Sequence, residues 1–253
     1  MNDKQTDNLV FGKGPVLEVI ENGKVEVNKI WISEGLQEKG IKDRLISFAK
    51  DRKIPFRFIP SDKLKNICNH KNHQGVVLSV SPVKYLSVDD IIHQALSSSS
   101  NVVLVAHEIE DVHNIGALVR TFVAGGGKGI ILTGRKSAGI TATVIKTSVG
   151  AVFQAQFARA TNCVQVLRKL KDNSFWIVGT DNSEDSTLIY KTDFPDKIAI
   201  VVGNEHKGLE RLVKENCDFV VRVPTTKKID SLNVSVAFGI VLYEFLRQHT
   251  NLV

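Results

Sequence analysis

The chain has 253 residues, more than one domain of ordinary size, and its 43% hydrophobic and 24% charged content suits a folded core. Its net charge of +6 leans toward a polyanionic partner. No apolar run reaches the roughly 18 residues of a bilayer span, and the polar start MNDKQTDN has neither secretory nor transit character. Cys68, Cys163 and Cys217 are far apart and odd in number, which argues against a disulfide framework or a cysteine metal cage; a soluble, cytoplasmic protein is expected.

Up to the serine tract at 97–100 the residues read as a small α/β domain, 8–84, and a linker, 85–100. VFGKGPVLEVIENG carries a helical apolar pattern that stops at Asn22-Gly23, a helix C-terminal signal. KIWISEG (29–35) alternates as a strand, and IKDRLISFAKDRK (41–53) is an amphipathic helix with apolar Ile41, Leu45, Ile46, Phe48 and Ala49. IPFRFIP is a short strand between prolines, and GVVLSVSPV (75–83) is a third. The predicted order is α, β, α, β, β, followed by YLSVDDIIHQAL as a connecting helix.

The first domain concentrates positive charge. Lys42, Arg44, Lys50, Arg52, Lys53, Arg57, Lys63, Lys65 and Lys71 face only Asp43, Asp51 and Asp62, an excess equal to that of the whole chain. Such a surface is either a solvated lysine-rich face or a neutraliser of nucleic-acid phosphates. His70 and His73 have no Cys or carboxylate at ligand spacing, so no metal is assigned there.

From 101 to 253 the rhythm changes. NVVLVA (101–106) is an uninterrupted β-branched run, as in a strand covered on both faces. IGALVRTFVAGG is a helix ending in glycines, KGIILTG a strand, TATVIKTSVGA helical and FQAQFARA a strand. CVQVLRKLKDN is a helix, FWIVGTD and IAIVVGNE are strands, KGLERLVKEN is a helix, FVVRVP a strand and LNVSVAFGIVLYEFLRQ a long closing helix. Alternation of this kind predicts a mostly parallel sheet with helices on both faces, where ligands bind beyond the carboxyl ends of the strands. Three such exits stand out: Gly179-Thr180, Gly203-Asn204-Glu205 and Pro224. None carries a dinucleotide or P-loop fingerprint, which disfavours an NAD-dependent oxidoreductase.

Three segments in order, HNIGALVRTFVAGG (113–126), IAIVVGNEHKGLER (198–211) and VPTTKKIDSLNVSVAFGIVLYE (223–244), resemble the SpoU (TrmH-type) RNA ribose 2′-O-methyltransferases of the SPOUT superfamily. VFGKGPVLEVIENG and HQGVVLSV (73–80) are similar to that family's RNA-binding extension, so the resemblance spans nearly the whole chain. It implies a SPOUT-type α/β catalytic domain, 101–253, with a parallel sheet and a C-terminal deep trefoil knot. It implies S-adenosyl-L-methionine as methyl donor, no metal, and a homodimer with sites near the interface. The bacterial enzymes that methylate a guanosine ribose in 23S-type ribosomal RNA are the most similar; a transfer RNA substrate and a non-catalytic RNA-binding protein of the same fold are the alternatives. Arg120, Asn114 and the GNE turn are all present, which disfavours the last.

The resemblance further implies Arg120, Asn114, Glu205, Ser231 and Asn233 as catalytic residues, and Thr180, Gly203, Val223 and Leu232, with Gly179 beside them, as cofactor-binding. Arginine keeps its proton in proteins, so Arg120 is expected to hold the target phosphate and steady the incipient 2′-alkoxide rather than act as a base. Asn114 is six residues before Arg120, about 120° away on one helix, and either caps that helix or belongs to the site. Glu205 reads as a carboxylate at a helix start or as an active-site partner. Ser231, Asn233 and Asp230 are all candidate caps of the closing helix. His113 and His206 are assigned no role. Lys227 and Lys228 depart from the small or glycine-containing loop usual there; they touch RNA phosphate or are simply exposed.

Overall fold

The computed structural model describes residues 9–23, 25, 27–52, 54–69, 72–80, 83–97, 102–134, 136–183, 185–226 and 231–249. Of the residues singled out above, Lys53, His70, Lys71, 98–100, Asn101, Lys227, Lys228 and Asp230 lie outside the described residues.

In chain order the elements are β1 (Leu9–Phe11), α1 (Lys13–Asn22), β2 (Val27–Ser33), α2 (Lys39–Asp51), β3 (Phe56–Ile59), α3 (Ser61–Cys68) and β4 (Val76–Val80). Then come β5 (Tyr85–Leu86), α4 (Val88–Ser97), β6 (Val102–His107), α5 (Val112–Ala124), β7 (Gly129–Thr133) and α6 (Ala142–Thr147), with a 3₁₀ turn at Ala151–Gln154. The last part holds β8 (Gln156–Ala160), α7 (Cys163–Asp172), β9 (Trp176–Thr180), β10 (Thr187–Leu188), β11 (Ile198–Val202), α8 (Arg211–Glu215), β12 (Phe219–Arg222) and α9 (Val234–His249). They form two compact units, one of 1–83 and 140–154, the other of 84–139 and 155–253.

The first unit has a four-stranded sheet in the order β1-β4-β2-β3, antiparallel except for the β2–β3 pair. Helix α1 stops where predicted, with Gly23 at φ 59 and its N–H on the Val19 carbonyl. Two elements carry too weak a sequence pattern to be predicted. Strand β1 is only three residues long, and α3 buries just Leu64 and Cys68, an i, i+4 pair inside a lysine-rich segment. Residues of α6 and the 3₁₀ turn belong to this unit, where Val144, Ile145, Val152 and Phe153 are buried.

The second unit is an eight-stranded parallel sheet, β10-β12-β9-β11-β6-β7-β8-β5. Every residue of β6, β7 and β11 is buried, as a β-branched run covered on both faces requires. The segment read as a connecting helix is part of this unit. β5 pairs with β8, and Ile91, Ile92 and Ala95 of α4 are buried in the core that includes Val103, Ile131 and Ala158. The predicted strand FQAQFARA starts only at Gln156, because the preceding residues wind into the 3₁₀ turn.

Order reverses at β6. Beyond one edge run β7 and β8, beyond the other β11, β9 and β12, and the crevice at such a reversal is where open α/β sheets bind ligands. Helix α5 leaves β6 there. Ile115, Leu118, Val119 and Phe122 bury one stripe of it, each contributing about 1.5–3 kcal/mol, while Arg120 is exposed on the opposite side. Of the glycines after it, Gly125 and Gly127 are a packing need, since a Cβ would stand 2.8 Å from Leu242 and 2.3 Å from the Phe122 ring, while Gly126 turns the chain at φ 82. Helix α9 packs against α5 and reaches β9 and β11. Among the described residues no helix is long and apolar enough to cross a membrane.

Candidate active site

The carboxyl ends of β9, β11 and β12 and the entry to α9 surround a cavity of about 280 Å³. Thr180, Gly203, Val223, Ser231 and Leu232 line it, together with Glu205. Four of these are the predicted cofactor residues, brought together from four separate chain segments. Apolar Leu232, Val223, Ala237 and Val241 supply part of the wall, and the strand-end turns supply polar edges.

The turn after β11 is closed on itself. Asn204 accepts at Oδ1 from His206 N at 3.0 Å and Lys207 N at 3.2 Å, and its Nδ2 donates to the Glu108 carbonyl at 2.8 Å. Gly208 N returns to the Asn204 carbonyl at 2.9 Å. The chain passes itself so closely that a Cβ on Gly203 would lie 2.3 Å from the Gly208 carbonyl oxygen. Positive φ at Gly208 (66°) and this turn delay the next helix, so α8 covers only Arg211–Glu215 of the predicted KGLERLVKEN.

Glu205 therefore does not start α8. Its carboxylate faces the amino end of α5 instead, accepting from Asp111 N at 3.3 Å, Glu110 N at 3.5 Å and Asn114 Nδ2 at 3.0 Å. Free amide groups and the positive end of the helix dipole make that a favourable seat for an anion. The cap of α5 is Asp111, whose Oδ1 accepts from His113 N at 2.8 Å, and this frees Asn114 from capping. Asn114, 9% exposed, spends its other end on Asn233, whose Nδ2 donates to Asn114 Oδ1 at 2.9 Å. Asn233 in turn accepts from Ser235 N at 2.9 Å and Ser235 Oγ at 2.6 Å, the geometry of a cap on α9.

This chain of bonds runs in one direction. A carboxylate only accepts, so Asn114 must present its NH₂ to Glu205 and its oxygen to Asn233; the backbone N–H of Ser235 requires the oxygen of Asn233. Both amide orientations are thus fixed, and Asn114, Glu205 and Asn233, one residue from each motif, become one rigid unit.

Arg120 stands apart. It is exposed, does not line the cavity, and makes no hydrogen bond or ion pair with the described residues. Thr180 Oγ1 donates to the Val201 carbonyl at 3.2 Å, tying β9 to β11. Asp181, Asn182, Arg222 and Thr225 also line the cavity and were not singled out from sequence; the first two directly follow the flagged Gly179-Thr180 exit. In the first unit, buried His73 accepts from Gly75 N at 3.1 Å through Nδ1, a structural bond. Among the described residues no cluster of three His, Cys, Asp or Glu groups has metal-holding geometry.

Comparison with known proteins agrees with this arrangement. Residues 101–243 match the profile of the SpoU rRNA Methylase family, and residues 9–86 match that of the RNA 2′-O ribose methyltransferase substrate-binding domain. A Bacillus subtilis (strain 168) relative carrying a TrmH family tRNA/rRNA methyltransferase name is 36% identical over 245 residues, covering 96% of this chain and 97% of that one. An uncharacterized tRNA/rRNA methyltransferase of Mycolicibacterium vanbaalenii is 38% identical over 248 residues, covering 97% and 78%. Among solved structures, an RNA 2′-O ribose methyltransferase aligns with a TM-score of 0.77 at 25% identity, over 97% of this chain and 90% of that one. An AdoMet-bound rRNA methyltransferase from Sinorhizobium meliloti aligns with a TM-score of 0.79 at 21% identity, over 97% and 88%. A family profile over more than half the chain, relatives over nearly all of it and three motifs joined by hydrogen bonds beside one cavity lead to one conclusion: the chain belongs to the SpoU rRNA methylase family and is an RNA 2′-O ribose methyltransferase of the TrmH/SpoU type.

Proposed function

We propose that this enzyme methylates the 2′-hydroxyl of a guanosine ribose in large-subunit, 23S-type ribosomal RNA, in the cytoplasm and as a homodimer. The observation that carries the catalytic reading is the bond chain Asn233–Asn114–Glu205, which fixes three separate motifs beside one cavity. S-adenosyl-L-methionine is the methyl donor; when bound it supplies a methyl group activated on a sulfonium sulfur. The cavity fits such a group: about 280 Å³, near the lower bound of small-molecule sites, with apolar Leu232 and Val223 for a flat ring and strand-end backbone for its polar edge. Thr180, Gly203, Val223 and Leu232 hold the adenosine portion.

The remaining work falls to side chains. A ribose hydroxyl must be placed in line with the methyl carbon, about 3 Å away, and its growing negative charge must be met. A guanidinium is a donor and not a base, so Arg120 meets both the target phosphate and the incipient alkoxide and steadies the oxygen rather than removing the proton. Its position outside the cavity of its own chain, and the exposed apolar Val236 and Tyr243 seven residues apart on α9, support a dimer in which a second copy completes the site. In this reading Glu205, braced by Asn114 and Asn233, faces the target, and exposed Ser231, which lines the cavity, touches it.

RNA capture is assigned to the first unit. Arg44, Lys50, Arg52, Arg57, Lys63 and Lys65 are exposed there. A groove of about 440 Å³ in the same unit meets the starts of α1, α2 and α3, at Lys13, Glu38 and Ser61; the N-cap residues of these helices make no side-chain cap bond, and Gln74 Oε1 accepts from Lys13 N at 2.8 Å. The positive ends of helices suit phosphates, and the exposed Arg and Lys side chains of the same unit add charge that attracts them. Mapping 2′-O-methyl groups in ribosomal RNA of cells with and without the protein tests the substrate. Loss at one large-subunit guanosine is expected, and loss confined to transfer RNA would overturn the reading.

A further inference from the structure

Asp181 immediately follows Thr180 at the exit of β9, and its side chain, 9% exposed, sits between that exit and the turn after β11. Oδ1 accepts from Ser183 N at 3.0 Å and pairs with Lys214 Nζ of α8 at 2.8 Å. Oδ2 accepts from Leu209 N at 3.3 Å, and a Cβ on Gly208 would come within 2.8 Å of it. Behind these contacts, Leu209 and Cys217 press on Gly179, where a Cβ would lie 2.9 and 2.8 Å from them. Asp181 is thus the clasp on one side of the 203–209 turn, as the Asn204 bond to Glu108 is on the other. Burial alone would raise its pKa, but the Lys214, Ser183 and Leu209 hydrogen bonds outweigh that and hold it below the ordinary carboxylate range.

We propose that Asp181 is a positioning residue for the cofactor: bridged to Lys214, it sets the separation between the Thr180–Asn182 wall and the Gly203–Gly208 wall of the cavity. The inference rests on the assignment of that cavity to S-adenosyl-L-methionine. An ion pair with one partner on α8 and a backbone donor on the turn makes the cavity width depend on α8, although Lys214 does not line the cavity. Loosening the clasp therefore weakens uniform binding of the cofactor more than it slows the transfer step.

The test uses the full chain and two variants, Asp181→Ala and Lys214→Met. Cofactor affinity is read by calorimetry with S-adenosyl-L-methionine, and turn opening by hydrogen exchange of the 203–209 segment without cofactor. D181A is expected to weaken cofactor binding about tenfold, with kcat at saturating cofactor and RNA affinity changing less than about threefold. K214M is expected to weaken it about threefold, and the double variant to be no worse than D181A, because the two act as one unit. Both single variants should speed exchange at Leu209. Unchanged cofactor affinity and unchanged Leu209 exchange in K214M would overturn the proposal, whether or not D181A folds, since the bridge to Lys214 would then not set the separation of the two walls. Failure of the wild-type chain to bind S-adenosyl-L-methionine would overturn the cofactor assignment instead.

Discussion

Replacing Asn114 by Asp inverts the polarity of the bond chain at its centre. Asn114 Nδ2 now lies 3.0 Å from Glu205 Oε1, and two carboxylate charges at that distance repel by about 5 kcal/mol at an effective dielectric of about 20. Glu205 is half-buried, so water screens part of this and about 2–3 kcal/mol should remain. Like charges raise the carboxyl pKa above its ordinary value of about 4, so the folded pair takes up a proton that the unfolded chain does not. The penalty is complete above that raised pKa and fades as pH falls toward about 4. Asn114→Ala has no such relief: it removes one charged and one neutral hydrogen bond, together about 2–4 kcal/mol at any pH in that range. The two tryptophans fall in different units, Trp31 in the first and Trp176 in the second. Denaturant unfolding in a Trp31→Phe background therefore reports on the catalytic unit alone. N114D should be markedly less stable than wild type at pH 8, with the deficit shrinking at pH 5, and methyl transfer should recover in the same direction. A deficit equal at both pH values, or an N114A variant as stable and active as wild type, would refute the reasoning.

Arg120→Lys should fold with an unchanged melting temperature, because Arg120 bonds nothing among the described residues, yet lose about 10²–10³ in kcat; near-normal turnover would remove Arg120 from the reaction. Glu244 is held near a pKa of about 2, chiefly by the Arg247 guanidinium against the opposing effect of burial, with Gln248 assisting. A depressed carboxyl contributes stability above its unfolded pKa and loses it as pH falls through the folded one, so wild type and Glu244→Gln should differ most above about pH 4.5 and converge toward pH 2 in thermal melts. Replacing Arg57, Lys63 and Lys65 by Gln should lower the slope of log affinity for RNA against log salt by about 0.7–0.9 for each phosphate no longer neutralised, and an unchanged slope would place the RNA elsewhere.

Periodicity made most of the larger sheet legible, because β6, β7 and β11 are buried throughout and leave long β-branched runs. It failed where an element is held by few contacts: the three residues of β1, the two buried side chains of α3, and β5 and β10 at two residues each. The three strand exits were visible as glycines or a proline after apolar runs, and residues at or beside each of them line one cavity. The partners of Glu205 were not visible. Spacing alone left Asn114 as a cap or a site residue, since only the fold brings residue 205 to the amino end of the helix that begins at 112, where Asp111 has already taken the cap. Asp181 was overlooked for a similar reason: its partners are 28 and 33 positions away, on a turn and a helix that no local pattern links to β9.

The return of residues 140–154 to the first unit bears on how this protein can be dissected. A gene fragment ended at the serine tract would encode the small sheet without the segment that carries buried Val144, Ile145, Val152 and Phe153, leaving its packing partners open to water and to aggregation. The complementary fragment would carry those four apolar side chains with nothing of the first unit to cover them. Neither half is a self-sufficient module, so an exchange of RNA-reading heads between relatives would have to transplant two stretches of sequence together.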